Sequence, residues 1–486
     1  MSRARWVGMR SRWSWWLVMT LVACGGTNGG DPTGAGGMGA SSGSGASSGV
    51  GAGASTGSGG DLPPAPPPGS CGMDEPAFCE TFEATTPGGR GGDLDESVWG
   101  VSRWSHNVGE MFARSLAYSD EGYPEPAKLC GELFSGVAVG EDYVICEGAD
   151  SRGATSQQLN ETFHDTGDFA VNSMMIRQPF DFADRDYGTI SLDVDAKFKR
   201  ENDGHGWWVE VWVTDEPVPL PYHAAPSVSS TPHAGIGFAF MGTNCDKSSG
   251  MNSLTQIFVA RDHEVLHEWT GFDLNAECFQ TQDEVLNHLE IRLSQDKAEV
   301  WVSDAGEPDS FRKVAEKTGL DLAFTRGFVH LQHSHYNAIK GGPDGMSTQT
   351  FRWDNVGFDG PLLPRVRAYD VADPVTVQGD MAYFGFPLGT SPESHSFQGV
   401  DLAGASRAFL DVTAFNPDGI AIEYRVNGGG WHSYEDPTGF TEWQIRSYSI
   451  GLDLAELKQG DNTVEIRGGQ DDGYRQIGNI DLSVLP

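Results

Sequence analysis

Positively charged residues are scarce in this chain. Its 486 residues include 32 Lys and Arg against 68 Asp and Glu, which gives a formal net charge of −36. Nucleic acids and anionic lipid surfaces attract cationic proteins, so this balance argues against both as electrostatic partners. We therefore predict that the protein binds no nucleic acid and that charge alone does not hold it on a membrane.

Two further features are missing and a third is rare. No C-x-x-C pair occurs, which makes a zinc site of the usual cysteine spacing a weak interpretation. The apolar run at residues 13–22 is too short to span a bilayer. Long helical hydrophobic periods are also rare, which argues against an α-helical domain.

The first 24 residues have the pattern of an export signal. Four arginines precede the apolar run, and small Ala23 then stands directly before Cys24. The segment LVAC at residues 21–24 resembles the lipobox of bacterial lipoproteins. That resemblance implies a signal peptide at 1–23, a lipid on Cys24 and a place in the bacterial cell envelope. Gly25, where inner-membrane members usually carry Asp, favours the outer membrane. The alternative is an ordinary secretory signal with an incidental cysteine.

Residues 24–70 read as a lipidated cysteine followed by a disordered tether. The segment is almost entirely Gly, Ser, Ala, Thr and Pro, which cannot bury enough apolar surface to fold. Gly-rich coil of this length has a mean end-to-end distance of about 35 to 40 Å. Its proline-rich end, residues 61–68, should be stiffer.

The remainder is too long for a single core, so we predict two domains, at 71–362 and 363–486. Setting Cys24 aside leaves six cysteines in an oxidising compartment, and disulfides are expected. Their number leaves the connectivity open. Short local loops favour pairing of neighbours: Cys71 with Cys79, Cys130 with Cys146, and Cys245 with Cys278.

The hydrophobic pattern predicts β-strands in both domains. Apolar residues alternate with polar ones from Ile190 to Phe198 and again from Leu289 to Leu293, followed by a turn at 294–297 and a partner strand with Val300 and Val302. Residues 361–373 are rich in Pro and charge and predict a linker. Residues 421–431 predict a hairpin, and 460–467 a turn and strand. The fold class is therefore all-β: a jelly-roll β-sandwich and a smaller C-terminal accessory sandwich, carbohydrate-binding-module-like or Ig-like.

Three segments resemble the concanavalin A-like lectin/glucanase (laminin G-like) jelly roll. Residues 78–83 (FCETFE), followed by Leu94-Asp95 and Trp99, are similar to its first strand. Residues 206–212 (GWWVEVW) are similar to the G-x-W-P-A-F-W strand of family-16 glycoside hydrolases. Residues 351–358 resemble the closing strand, whose Asp often binds calcium. The resemblance implies this fold for 71–362 and a structural Ca²⁺ at Asp354, with no other cofactor required.

The catalytic motif of that family is missing. Its hydrolases use E-x-D-x-x-E on the strand after the Trp strand, because two carboxylates about 5 to 5.5 Å apart do the chemistry. The corresponding segment here, residues 234–240 (AGIGFAF), carries no carboxylate. Its two glycines would let a ligand approach the backbone. We therefore interpret the chain as a non-catalytic binder.

The Trp strand supplies the candidate glycan-binding residues. Trp208, Glu210 and Trp212 share one face of a strand, and Trp207, Val209 and Val211 share the other. Aromatic rings stack on pyranose faces and a carboxylate accepts hydroxyl hydrogen bonds, which is how sugar sites work. The alternative is that both Trp side chains fill the interior of a large sandwich.

A histidine-rich segment, residues 328–337, offers the main alternative chemistry. An H-x-H pair, His333 and His335, suits a metal, but no third ligand is identifiable. Tyr336 with an imidazole suits proton transfer, and Tyr336-Asn337 resembles the Tyr-x-Gln strand of family-7 alginate lyases. Polar groups without chemistry are the third interpretation.

The sequence thus predicts a surface-anchored, non-catalytic binder of polysaccharide or cell-surface glycan, held to the membrane by its lipid only. One alternative is a carbohydrate-active enzyme, lyase or hydrolase, that uses His333, His335 and Tyr336. The other is a structural or adhesive envelope protein.

Overall fold

The computed structural model describes residues 62–82, 97–106, 117–119, 135–138, 144–150, 158–164, 169–194, 206–217, 231–240, 254–270, 273–282, 285–336, 348–371, 375–378, 381–384, 386–387, 389–415, 421–434, 445–469 and 476–486. For some of these strand residues only the backbone is described. Regular structure in these ranges is almost entirely β, with two 3-10 helices, Ser70–Gly72 and Leu454–Glu456. The all-β prediction is confirmed. None of the helices in these ranges has the length and apolarity to cross a membrane.

The strands of the N-terminal domain are, in chain order, β1 (Pro76–Glu80), β2 (Trp99–His106), β3 (Ala117–Ser119), β4 (Ser135–Ala138), β5 (Val144–Asp150), β6 (Gln158–His164), β7 (Phe169–Ile176), β8 (Phe180–Asp181), β9 (Gly188–Val194), β10 (Gly206–Thr214), β11 (Ala234–Phe240), β12 (Leu254–Arg261), β13 (Glu264–Thr270), β14 (Asn287–Leu293), β15 (Lys297–Asp304), β16 (Glu307–Thr318), β17 (Arg326–Tyr336) and β18 (Thr348–Asp359).

The C-terminal strands are β19 (Arg367–Val371), β20 (Val375–Gln378), β21 (Met381–Phe384), β22 (Phe386–Pro387), β23 (Glu393–Val400), β24 (Arg407–Phe415), β25 (Ile422–Val426), β26 (His432–Tyr434), β27 (Ile445–Leu452), β28 (Gly460–Gly468) and β29 (Gln476–Leu485).

Two large antiparallel sheets form the N-terminal jelly roll. Sheet A has the order β16-β15-β14-β9-β18-β6-β5-β4, with β1 paired to β18, and sheet B has the order β13-β12-β11-β10-β17-β7-β2, with β8 paired to β17. Strands distant in sequence lie side by side, as the first and closing strands β1 and β18 do. This crossing order is typical of a sandwich, since hairpins alone would leave each strand beside its chain neighbour.

A single apolar core lies between the two sheets. The alternating residues predicted to be buried, among them Leu192, Leu289 and Val302, have no exposed surface. Trp353 is equally buried, and Phe78 packs edge-on against Trp99 with ring centroids 5.9 Å apart. Antiparallel strands with one face inward produce this period-two pattern because successive side chains point to opposite faces.

The C-terminal sandwich is built in the same way on a smaller scale. One sheet has the order β19-β29-β24-β27, with β22 paired to β29, and the other has the order β23-β28-β25-β26. Their inner faces meet in a second core that contains Leu410, Val464 and Leu482. The predicted hairpin is present as β25 and β26. Part of the predicted linker is a strand: β19 begins at Arg367 and pairs with β29.

The end of the glycine-rich segment lies against the jelly roll. Pro63 is buried, and Pro64 to Pro67 line a surface cavity together with Phe78 and Gln178. Cys71 and Cys79 form the predicted disulfide, with an S–S distance of 2.03 Å. Cys278 is also disulfide-bonded, and its partner lies outside the described residues. The side chains of Cys130, Cys146 and Cys245 are outside them as well, as is Cys24.

Candidate functional site

The strand β10 carries the predicted glycan-binding residues and lies inside sheet B, between β11 and β17. Val209, Val211 and Val213 point into the sandwich core. Glu210 and Trp212 are therefore on the opposite face, which we call the outer face of sheet B. The prediction that the valines and the Glu210 and Trp212 side chains lie on opposite faces of β10 agrees with their contacts.

Glu210 is a buried carboxylate on this outer face, with 1% of its surface exposed. Its Oε2 accepts hydrogen bonds from Trp212 Nε1 at 2.7 Å and from Gln332 Nε2 at 3.1 Å. The register places Glu210 opposite Gln332 on β17 and Gln332 opposite Ser173 on β7. Three strands thus contribute one row of buried polar groups, and the donors fix the position of the carboxylate.

Trp212 is fully buried, and its ring lies flat on the sheet. Trp212 is in register with Gly237, and Gly237 with Phe258 on the next strand. A Cβ at Gly237 would lie 2.4 to 2.6 Å from atoms of the Trp212 ring. The rings of Trp212 and Phe258 are parallel, at 1°, with centroids 5.8 Å apart. The room left by this glycine is therefore taken by Trp212, and the expected approach of a ligand to the backbone at Gly237 is wrong.

His330 is another buried titratable group of this face. Burial lowers the pKa of His330 to about 3, so the imidazole is neutral at physiological pH. The hydroxyl of Thr214 lies 3.0 Å from His330 Nε2 and donates its one hydrogen to the carbonyl of Glu216 at 3.2 Å. Thr214 Oγ1 must then accept from His330, which fixes the tautomer with the proton on Nε2.

The remaining predicted residues are placed by backbone register alone. Trp208 is opposite Ser334, on the same face as Glu210. His333 and His335 are opposite Val209 and Trp207, at core-facing positions, and Tyr336 is at an outer-face position. The side chains of Trp208, His333, His335 and Tyr336 lie outside the described residues. The alternation therefore places Tyr336 on the opposite face of β17 from the two histidines. The catalytic role of His333, His335 and Tyr336 stays a prediction, and the three positions do not share one face of the strand.

The residues around Asp354 do not fit a calcium ion. Asp354 is buried, and its Oδ1 accepts a hydrogen bond from the backbone amide of Asn355 at 2.8 Å. Asn355 has a left-handed φ of 48° at a bulge in β18 and donates from Nδ2 to Asp193 at 2.7 Å. In the described ranges no three His, Cys, Asp or Glu residues are grouped to hold a metal. Asp354 supports the local backbone there.

A second Glu-Val-Trp triplet was not singled out by the sequence reasoning. Glu299 and Trp301 on β15 repeat the geometry of Glu210 and Trp212, with Trp301 Nε1 donating to Glu299 Oε2 at 2.9 Å. This copy is on the solvent side of sheet A, and the guanidinium of Arg292 lies 4.2 Å above the Trp301 ring. The repeated letters EVWV at 210–213 and 299–302 were the available signal.

The outer face of sheet A is an ion-pair network. Partial burial raises the pKa of Glu299, but hydrogen bonds from Lys297 and Trp301 outweigh it and hold that pKa at about 2. His288 Nδ1 lies 2.7 Å from Asp193 Oδ1, and this hydrogen bond, helped by Glu290, raises the pKa of His288 to about 9. Exposed pairs of this kind contribute little to stability individually.

No protein family model matches the chain, and no curated protein matches it either. Solved structures that are similar to it include the metal-free exoplasmic/lumenal domain of VIP36, at 10% identity and a TM-score of 0.28 over 57% of this chain and 93% of that one. Lectin II from Ulex europaeus is 9% identical, with a TM-score of 0.27 over 50% of this chain and 98% of that one. The carbohydrate binding module CBM66 from Bacillus subtilis is 11% identical, with a TM-score of 0.23 over 41% of this chain and 86% of that one. The assignment of the fold rests on the strand order and the shared core, and not on these scores.

Proposed function

We propose that this chain is a lipid-anchored protein of the bacterial cell envelope, at the outer membrane, that binds a polysaccharide or cell-surface glycan without cleaving it. The outer face of sheet B is the proposed binding surface. The observation that supports this is the outer-face position of Trp208 on β10, beside the buried row of Glu210, Gln332 and Ser173 that holds this part of the sheet in place. Sugar sites combine such polar groups with aromatic faces.

Burial divides the roles of the two tryptophans in this proposal. Trp212 is enclosed by the sheet, Phe258 and Glu210, so its part is to hold the carboxylate in position. Trp208 occupies the next outer-face position along β10, two residues from Glu210. We assign the stacking contact with a sugar ring to Trp208. Calcium has no part in the proposal, because the surroundings of Asp354 do not fit an ion.

The test compares Trp208→Ala with Trp301→Ala, which removes an aromatic ring from the other sheet. The measurement is retention by a panel of polysaccharides in affinity electrophoresis, with a glycan array for short ligands. Trp208→Ala should lose about 1 to 3 kcal/mol of binding, roughly 5- to 150-fold in affinity, and keep its unfolding midpoint. Trp301→Ala should bind as the wild type does.

Three results would each contradict a part of the proposal. Unchanged retention of Trp208→Ala would contradict the stacking contact. A wild type that no polysaccharide of the panel retains would contradict glycan binding altogether. Release of sugar products from any retained polysaccharide would contradict the non-catalytic part and favour the enzyme alternative. Retention and product release are read in different assays, so the binding part and the non-catalytic part of the proposal fail separately.

A further inference from the structure

The two sandwiches meet at a joint formed by described side chains and backbone. The amide of Val366 donates to the carbonyl of Arg177 at 2.9 Å. The guanidinium of Arg407, at the start of β24, donates to the carbonyl of Asp215, just after β10, at 3.3 Å. Leu485, near the end of β29, packs against a small buried apolar cluster that includes Val366. These described residues form a contact surface between the two sandwiches.

Two aspartates lie side by side at this joint. Asp411 on β24 is in register with Asp481 on β29, and both are nearly inaccessible, at 5% and 4% exposed. Their strand neighbours Leu410 and Leu482 belong to the core of the C-terminal sandwich. The aspartates are thus on the other face of that sheet, toward the jelly roll.

The described groups that act on Asp411 come from both sandwiches. Ser483 donates to Asp411 Oδ2 at 2.6 Å. Ser449 on β27 is in register with Asp411, and its buried hydroxyl also favours the ionised form of Asp411. Arg177 of the jelly roll is a described cation that acts on Asp411; it is 5% exposed, and its Nε donates to the carbonyl of Trp99 at 3.1 Å.

Two buried carboxyl groups side by side are unfavourable when both are ionised. Arg177 acts on Asp411, and Asp370 on β19 is in register with Asp481, its side chain outside the described residues. Burial penalises each charge, and neighbouring like charges raise the penalty further. Burial, then the charge of Asp481, raises the pKa of Asp411 to about 7, although Ser483, Arg177 and Ser449 act in the opposite direction.

We propose that Asp411 and Asp481 hold one proton between them when the joint is closed, so that the contact between the two sandwiches tightens in acid and loosens toward neutral pH. The proton gives Asp411 a donor and leaves one negative charge on the pair. When the joint opens, both carboxyl groups reach water and release the proton. Closing the joint therefore takes up a proton.

The sign follows from linkage. The folded group holds its proton up to about pH 7, whereas an exposed aspartate loses it near pH 3.9. Between these values the closed state binds more protons, so the fraction of open joint should rise about tenfold for each pH unit. Above pH 7 the dependence should level off, because both states are then ionised.

The test uses Asp411→Asn, which has the shape of the protonated side chain and should fold. Asp481→Asn is the second variant, and Asp461→Asn, an exposed aspartate of the same sandwich, is the control. Amide hydrogen exchange at Val366, whose amide donates across the joint to the carbonyl of Arg177, reports opening of the joint between pH 5 and 7.5 once corrected for intrinsic rates. Exchange at this amide should accelerate with pH in the wild type and in Asp461→Asn. It should be slow and independent of pH in Asp411→Asn, and at least less dependent on pH in Asp481→Asn.

Parallel exchange profiles for the wild type and Asp411→Asn would overturn the proposal, as would acceleration toward acid. A third arm separates a proton from a metal ion. If millimolar calcium at pH 7.5 restored slow exchange in the wild type only, the pair would be a cation site and the shared proton would be wrong.

Discussion

Replacing Trp212 by alanine should lower the free energy of unfolding of the jelly roll by about 4 to 6 kcal/mol. Removing a fully buried Trp side chain costs about 3 to 5 kcal/mol, and the upper part applies where the surroundings cannot collapse into the space. Gly237, directly under the ring, has no side chain to fill it. The loss of the Nε1 hydrogen bond removes one side-chain donor from the buried Glu210 carboxylate, which adds about 1 kcal/mol or more.

Trp301→Ala is the matched control, because it breaks the same Trp-to-Glu hydrogen bond on a solvent-facing strand. Trp301 loses its contact with Arg292 and its stacking on Phe311, at 5.8 Å between centroids. These contacts together predict a loss of about 1 to 2 kcal/mol. Urea unfolding followed by far-UV circular dichroism measures both variants without relying on tryptophan emission.

Gly237→Ala completes a double-mutant cycle with Trp212→Ala. In the wild type the added methyl group would collide with the Trp212 ring at about 2.4 Å and should be destabilising. In Trp212→Ala the same methyl group enters empty space and should be neutral or stabilising, so the two substitutions should couple by about 1 to 3 kcal/mol. Equal costs of Gly237→Ala in both backgrounds, or a Trp212→Ala loss no larger than that of Trp301→Ala, would refute the packing we describe.

Cys24→Ser should abolish lipid labelling and membrane fractionation, because only a thiol at that position accepts the lipid; unaltered labelling would exclude Cys24 as the anchor. Asp354→Ala should lower stability by about 1 to 2 kcal/mol through the lost hydrogen bond to Asn355, with or without chelator. A wild-type melting temperature that falls on chelation would instead show a bound ion. The raised pKa of His288 predicts that its contribution to stability is complete below about pH 6.5 and is lost as pH rises through about 9. His288→Gln should therefore differ most from the wild type at pH 6, and a difference that grows toward pH 9 would contradict the pairing with Asp193.

The sequence alone allowed several strands and their inner faces to be predicted. The hairpin of β14 and β15 is where the alternation placed it, with Leu289 opposite Val302 and a turn closed by the Ser294 amide and the Lys297 carbonyl. Alternation is a local signal, and it identifies an inner face wherever one side of a strand is apolar and the other is polar.

Alternation fails where both faces of a strand are buried. The pattern of β10 separates Glu210 and Trp212 from the core valines, but it does not tell whether their own face meets solvent. The filling of Gly237 by Trp212 depends on β10 and β11 being neighbours in one register, which is a long-range property. The pairing of Asp411 with Asp481 has the same origin, since the two positions are 70 residues apart in the sequence and only sheet pairing brings them together.

The disulfide between Cys71 and Cys79 has a mechanical consequence. Tension applied to the chain before Cys71, as an anchor would apply it, passes through the two sulfur atoms directly to Cys79. Residues 72–78 are bypassed and carry no load. Cys79 is paired with Gly357 of β18, which in turn is bonded to β9, so the pull is distributed through the middle of sheet A. A reducing agent would reroute the same force through the short 3-10 turn and the first residues of β1, which should then detach at lower tension.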